Sequence, residues 1–174
     1  MMMMRAFFVW LTRIGHCQGF GIQSPADYAF VRYVINEHYP YYKYKEIGLR
    51  DDWLTRKVGR LVFRLTNWCQ PDRICCYAYH EYVRAGSQRA QIVTTEELCH
   101  SRLVIVPASV SNLSELPSIL ADGSVLLVDS IWRFPKQWKE LVAQELSILS
   151  FDLYYCGIVI FDRKRAKQHY IVNF

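Results

Sequence analysis

From Ile74 onward the chain alternates short, unbroken apolar runs with segments of helical spacing, and this rhythm limits the fold more than any other feature. The runs are Ile74–Tyr79, Gln91–Thr94, Leu103–Val106 and Val125–Val128. They do not alternate apolar with polar residues, so each predicts a strand buried on both sides. Between them stand a short helix around Glu81–Arg84, a helix capped by Ser111 or Ser114 that runs through Leu120, and a helix over Phe134–Leu146 with Pro135 early in it. Buried strands separated by helices predict a parallel sheet covered on both faces. Leu146–Phe161 then contains a long strand, Asp162–Lys167 a turn and Gln168–Phe174 a last strand. Strands joined by so short a polar loop are expected to pair antiparallel. The fold class is therefore α/β, a mostly parallel sheet with helices on both faces, closed by a C-terminal antiparallel β-hairpin.

Three helices are expected before the first strand. Met2–Ile14 places Phe7, Trp10, Leu11 and Ile14 at helical spacing. The glycine-rich stretch Gly15–Gly21 is a loop, and Ser24-Pro25 starts the next helix as an N-cap followed by proline at the first position. That helix runs to about His38 on an apolar stripe of Tyr28, Val31, Val34 and Ile35, and Asp27 suits its N-terminal dipole. After the aromatic connector Tyr39–Tyr44, Asp51 or Asp52 caps a third helix on Leu54, Val58, Leu61, Val62, Leu65 and Trp68, slightly weakened by Gly59 and ended by Pro71. The chain of 174 residues suits one domain. It divides into an N-terminal helical part, 1–70, and a short α/β core, 71–174.

The turn after the first strand is unusual. A nucleotide site there needs small residues, so that backbone N–H groups approach the ligand. This chain offers Tyr77, Ala78, Tyr79, His80 and Tyr82, and its first glycine there is Gly86. Elsewhere the residues favour structural readings. Cys75, Cys76 and Cys156 lie in apolar strand-like runs and no CxxC pair occurs, which fits buried free thiols in a reducing compartment better than a zinc ribbon. The net charge of +5 is mild, and its one dense run, Arg163–Lys167, fits a polar turn better than a phosphate patch, so nucleic acid is disfavoured as a partner. The histidines show no metal spacing. No stretch approaches the ~18 apolar residues of a membrane span, and the N-terminus lacks a cleavable leader pattern, His16 before Cys17 arguing against a lipoprotein site. The expected location is the cytoplasm, without a membrane partner.

Three stretches resemble the class I S-adenosylmethionine-dependent methyltransferases, in particular a Bacteroidetes-type O-methyltransferase-like group. Gly19-Phe20-Gly21-Ile22-Gln23-Ser24-Pro25, followed by Tyr28, Phe30 and Val31, is similar to that group's N-terminal Gly-His-Gly-Ile-x-Ser-Pro-Phe segment. Ser124–Trp132 with Trp138 looks like its penultimate parallel strand and the Asp-Asp-Ile motif after it, and Phe151–Phe161 with Lys167–Tyr170 looks like its closing hairpin. The resemblance implies a Rossmann-like sheet. The departures fall on the cofactor side. The group's Glu-x-Gly-x-x-x-Gly turn aligns Cys76 with the acid and Ala78 with the first glycine. The middle, Thr95–Leu103, is shortened. The fourth-strand acid is replaced within Val104–Pro107, and the paired acids after the next strand are reduced to Asp129-Ser130.

For the cofactor, the resemblance leaves Ala78 and Tyr79 at the turn, with Glu96 or Glu97 as ribose acid. Asp129 and His80 are the catalytic candidates, Asp129 also the candidate metal ligand. Each has a bland counterpart, a solvated carboxylate for Glu96 and Glu97 and a structural cap for Asp129. Three functions follow. The first is a degenerate, non-catalytic binding or scaffolding module that takes no cofactor and works with a protein partner or as a homo-oligomer. Its partner surface would use Trp10, Trp53 and Tyr39–Tyr44. The second is an active O-methyltransferase using S-adenosylmethionine through an atypical turn. The third is a binder of another small molecule or nucleic acid in the former crevice, with Arg84, Arg89 or Arg163–Lys167. If Tyr77, Tyr79 and His80 fill the space above the first strand, the enzyme reading fails. If they leave a pocket beside Glu96 and Asp129, it survives.

Overall fold

Local chemistry starts the helices as the sequence leads one to expect. In the computed structural model, which describes residues 2–174 and the side chains of all of these but residues 2–5, 18 and 95, helix α1 spans Met2–Thr12 and a 3-10 turn follows at Ile14–Gly19. Ser24 Oγ accepts the Asp27 N–H at 3.4 Å at the start of α2 (Pro25–Phe30), which continues as a π turn over Val31–Ile35. Asp52, not Asp51, caps α3 (Trp53–Cys69), accepting the Thr55 N–H at 2.7 Å. Gln70 ends α3 in the left-handed region.

The core then runs β1 (Arg73–Cys76), α4 (His80–Gly86), β2 (Gln91–Val93), β3 (Leu103–Pro107), α5 (Leu116–Ile119), β4 (Val125–Asp129), α6 (Pro135–Ala143), β5 (Leu149–Asp152), β6 (Cys156–Ile160) and β7 (Gln168–Ile171). One seven-stranded sheet has the order β2-β1-β3-β4-β6-β5-β7. β6 alone runs antiparallel, between β4 and β5, and the remaining neighbours pair parallel. The α/β class, the mostly parallel sheet, the helices on both faces and the antiparallel hairpin are all present.

The hairpin sits elsewhere than expected. The single long strand within Leu146–Phe161 is two strands, β5 and β6, folded back on each other through Leu153–Tyr155. The last strand does not pair with the one before it; β7 lies parallel to β5, with Phe151 opposite Tyr170. Two further expectations shift. β1 ends at Cys76 rather than Tyr79, and neither Ser111 nor Ser114 caps α5, whose N-cap position is Glu115.

The two faces of the sheet are covered by different layers. Leu61, Leu65 and Tyr82 of α3 and α4, with Phe30 and Ile35, pack on Ile74, Cys76, Ile105, Leu127 and Phe151. Leu116 of α5 and Trp138 and Leu141 of α6 pack on Cys75, Val104, Leu126 and Val159. Cys75 and Cys76 thus face opposite layers, as neighbours in a strand must. All six cysteines are free. Gly59 is no mere weakness of α3, because a Cβ there would enter the Tyr82 ring. Similarly, the Trp138 indole lies against Gly157 of β6. No described helix is long and apolar enough to cross a membrane.

Candidate functional site

β1, β3, β4 and β5 all run in one direction, so their C-terminal ends form one edge. Open α/β sheets bind ligands along that edge. Three non-glycine residues with left-handed backbone stand there: Tyr79 after β1 (φ 67°), Ser130 after β4 (φ 61°) and Tyr154 between β5 and β6 (φ 70°). Such conformations cost free energy for residues with a Cβ and persist where surrounding contacts hold them.

The contact that holds Tyr79 is visible. Its hydroxyl donates to Asp129 Oδ2 at 3.0 Å. Neighbouring strands are ~4.8 Å apart, and β3 lies between β1 and β4. A side chain rooted after β1 that bonds the end of β4 therefore lies across the end of β3. The Tyr79 ring also meets Tyr82 edge-on at 6.2 Å, and the Tyr82 hydroxyl donates to Asp51 Oδ2 at 2.7 Å. A line of tyrosines thus ties the sheet edge to the loop before α3.

The electrostatics of the pair follow from burial. Burial pushes the Asp129 carboxyl above its usual range, against the opposing pull of the Tyr79 hydroxyl, Ser130 and Arg133. Burial and the adjoining Asp129 carboxylate push the Tyr79 hydroxyl up as well. Tyr79 therefore keeps its proton and gives it to a hydrogen bond, and Asp129 spends one carboxylate oxygen accepting it.

The other candidates are not gathered here. Tyr77, Ala78 and His80 are exposed, so of the residues expected to fill the turn only Tyr79 does. Glu96 is exposed too. The 3-10 segment Thr95–His100 runs from the end of β2 back to the start of β3, and Glu97 pairs with Arg73 at 3.2 Å, at the opposite end of β1 from the crevice. Asp129 is a lone carboxylate: among the described residues no three His, Cys, Asp or Glu side chains come together as a metal site. Two side chains of the basic run Arg163–Lys167 have structural partners, while Arg163 and Lys164 are exposed. Arg165 grips the buried Asp27 through both oxygens at 2.6 and 2.7 Å, and Lys167 donates to the Ala143 and Gln144 carbonyls at the end of α6.

Two clefts of ≈ 580 Å³ each have neither Tyr79 nor Asp129 in their lining, although Ile131 and Trp132, just after Asp129, line the second. One lies between α6, β5 and the N-terminal segment, with Trp138, Asp152, Tyr154 and His169 in its lining. Asp152 is fully engaged there, accepting from Arg13 Nη2 at 2.7 Å, the Tyr154 N–H at 2.9 Å and Trp138 Nε1 at 3.1 Å. Ser150 Oγ bonds His169 Nδ1 at 2.8 Å beneath it, a cross-strand pair with the serine buried. The other lies along α3 under Ile35–Lys45. Sequence reasoning missed both, since their walls come from segments far apart in the chain.

Comparison with protein-family models, with curated proteins and with solved structures gives no match for this chain.

Proposed function

We propose that this chain is a methyltransferase-like α/β protein whose cofactor crevice is closed by its own side chains, and that it works as a non-catalytic binding module. The observation that carries this reading is the Tyr79–Asp129 hydrogen bond across the C-terminal edge of the sheet. The crevice does not suit S-adenosylmethionine. Backbone approach at the turn is replaced by a left-handed tyrosine with Ala78 before it. The ring lies where a ligand would cross the strand ends, and Glu97 is engaged by Arg73 away from it. The sheet, mostly parallel and closed by an antiparallel hairpin, agrees with the architecture the resemblance implies. Exposed Trp10, Trp53, Tyr39 and Tyr42 offer aromatic surface to a protein partner or a second copy.

The active-enzyme alternative needs a crevice that binds the methyl donor. Calorimetric titration of S-adenosylmethionine and S-adenosylhomocysteine, with and without Mg²⁺, decides between them. No heat at millimolar ligand with folded protein is the expected result. A Kd tighter than about 100 μM, near −5.5 kcal/mol, overturns the proposal and restores the enzyme.

A further inference from the structure

One face of α3 carries a basic stripe that the fold turns into a cavity. Trp53, Lys57, Arg60 and Arg64 recur at i, i+4, i+7 and i+11, so they share a side of the helix. Val58, Leu61, Val62 and Leu65 are buried in the core. A charged stripe of this kind ordinarily faces open water. Here the segment Ile35–Lys45 folds over it and Phe174 joins the wall, enclosing the ≈ 580 Å³ cleft. That volume is within the range of small-molecule sites, about 300–1,000 Å³.

The cations in this cleft have unequal duties. Arg64 is buried and donates to the Val34 and Ile35 carbonyls at 2.6 and 2.8 Å, with Tyr44 Oη at 3.1 Å. Arg56 donates to the Gly48 and Asp51 carbonyls at 3.2 and 2.9 Å. Both are structural. Lys57 and Arg60, both on α3, are different: among the described residues neither side chain has a hydrogen bond or an ion pair, and the same holds for the exposed Lys45 on the covering segment. Rings hold them instead. Lys57 Nζ lies 4.2 Å from the Phe174 ring centre and 5.6 Å from that of Trp53, and the Arg60 guanidinium lies 4.8 Å from that of Tyr44. The one side-chain carboxylate in the lining, Glu37, already accepts the Tyr39 N–H at 2.7 Å. Burial, with Arg64 adding to it, holds the Lys57 ammonium below its ordinary pKa, as expected for a positive site without a counter-charge.

We propose that this cleft binds a small anion joined to a planar ring, of the nucleoside-monophosphate type, with the phosphate against Lys57 and Arg60 and the ring against the aromatic walls Trp53 and Tyr39. Two unpaired cations one helical turn apart match a phosphate, which brings several acceptor oxygens and up to two negative charges. The aromatic walls supply stacking for the ring. The site shares no lining residue with the Tyr79–Asp129 crevice, so it stands whether or not that crevice is closed.

The test is titration of AMP, CMP, GMP and UMP into the full chain, by heat and by tryptophan fluorescence, with adenosine and inorganic phosphate as half-ligands. At least one nucleotide is expected to bind with a Kd below about 1 mM, and more tightly than either half-ligand. Lys57→Gln and Arg60→Gln each weaken it by about tenfold or more, a loss near 1.4 kcal/mol. Lys136→Gln, on the exposed side of α6, leaves it unchanged. Lys57→Arg keeps the charge and binds within about threefold of the parent, which separates loss of charge from loss of fold. The proposal is overturned by no binding of any nucleotide at about 5 mM, by a half-ligand that binds as tightly, by glutamine variants that bind normally, or by Lys57→Arg binding no better than Lys57→Gln.

Discussion

At the scale of single residues, Asp129 shows how a strand-end carboxylate becomes structural. Desolvation raises its pKa above the ordinary 3.8, so the folded chain holds this proton to higher pH than the unfolded chain does. The stabilising contribution is then fully present below about pH 3.8 and is lost as pH rises through the folded value. Asp129→Asn removes that loss and keeps an oxygen to accept the Tyr79 hydroxyl. The variant is therefore expected to gain on the parent as pH rises from acid through the folded-state value of Asp129, and to hold that gain to neutral pH. Urea unfolding of both proteins across that range checks it. A gain that is flat with pH, or a loss that grows toward neutrality, would mean that the donors around Asp129 outweigh its burial.

At the scale of elements, the contact between α3 and α4 sets helix propensity against packing. Alanine in place of a mid-helix glycine favours the helix by about 1 kcal/mol. At Gly59 the added Cβ enters the buried Tyr82 ring, which is itself fixed by its hydrogen bond to Asp51. Overpacking of this kind costs about 1–3 kcal/mol, so Gly59→Ala is expected to destabilise the protein, by chemical denaturation, although it improves the isolated helix. Strands β1 to β4 were legible because burial on both sides makes apolar runs, and Asp129 was placed at a strand end by the residue that breaks its run. The β5–β6 turn was hidden because its left-handed position is Tyr154, where turn chemistry leads one to expect glycine or asparagine. The early end of β1 was hidden for the same reason at Tyr79. The roofed cleft had a signal in the spacing of Trp53, Lys57, Arg60 and Arg64, but the segment that covers it is a matter of tertiary contact.

At the scale of the whole molecule, the N-terminal helices and the α/β core share one apolar layer, and a part-buried ion pair joins them across 138 residues of chain. Phe30 of α2 packs between Trp68 of α3 and Phe151 of β5, with ring centres at 4.7 and 5.1 Å. Beside it, Asp27 is 2% exposed at its side chain and Arg165 is 30% exposed. Tyr170 Oη also donates to Asp27 Oδ2, at 3.2 Å. Arg165 stands in the loop that carries the chain from β6 past β5 to β7, and Lys167 of that loop is tied to the end of α6. Anchors at both residues account for a last strand that steps over its neighbour instead of folding back on it. Arg165→Ala leaves the Asp27 carboxylate buried with Tyr170 as its remaining side-chain donor. Breaking a fully buried pair costs about 3–5 kcal/mol. Solvent reaches Arg165, so the expected loss is smaller, about 1–3 kcal/mol. Since the apolar layer continues through both parts, thermal unfolding of the variant is expected to remain a single transition at lower Tm, read alike by near-ultraviolet and far-ultraviolet circular dichroism. Two separated transitions would show that the helical part and the core fold independently and that the ion pair, not the shared layer, couples them.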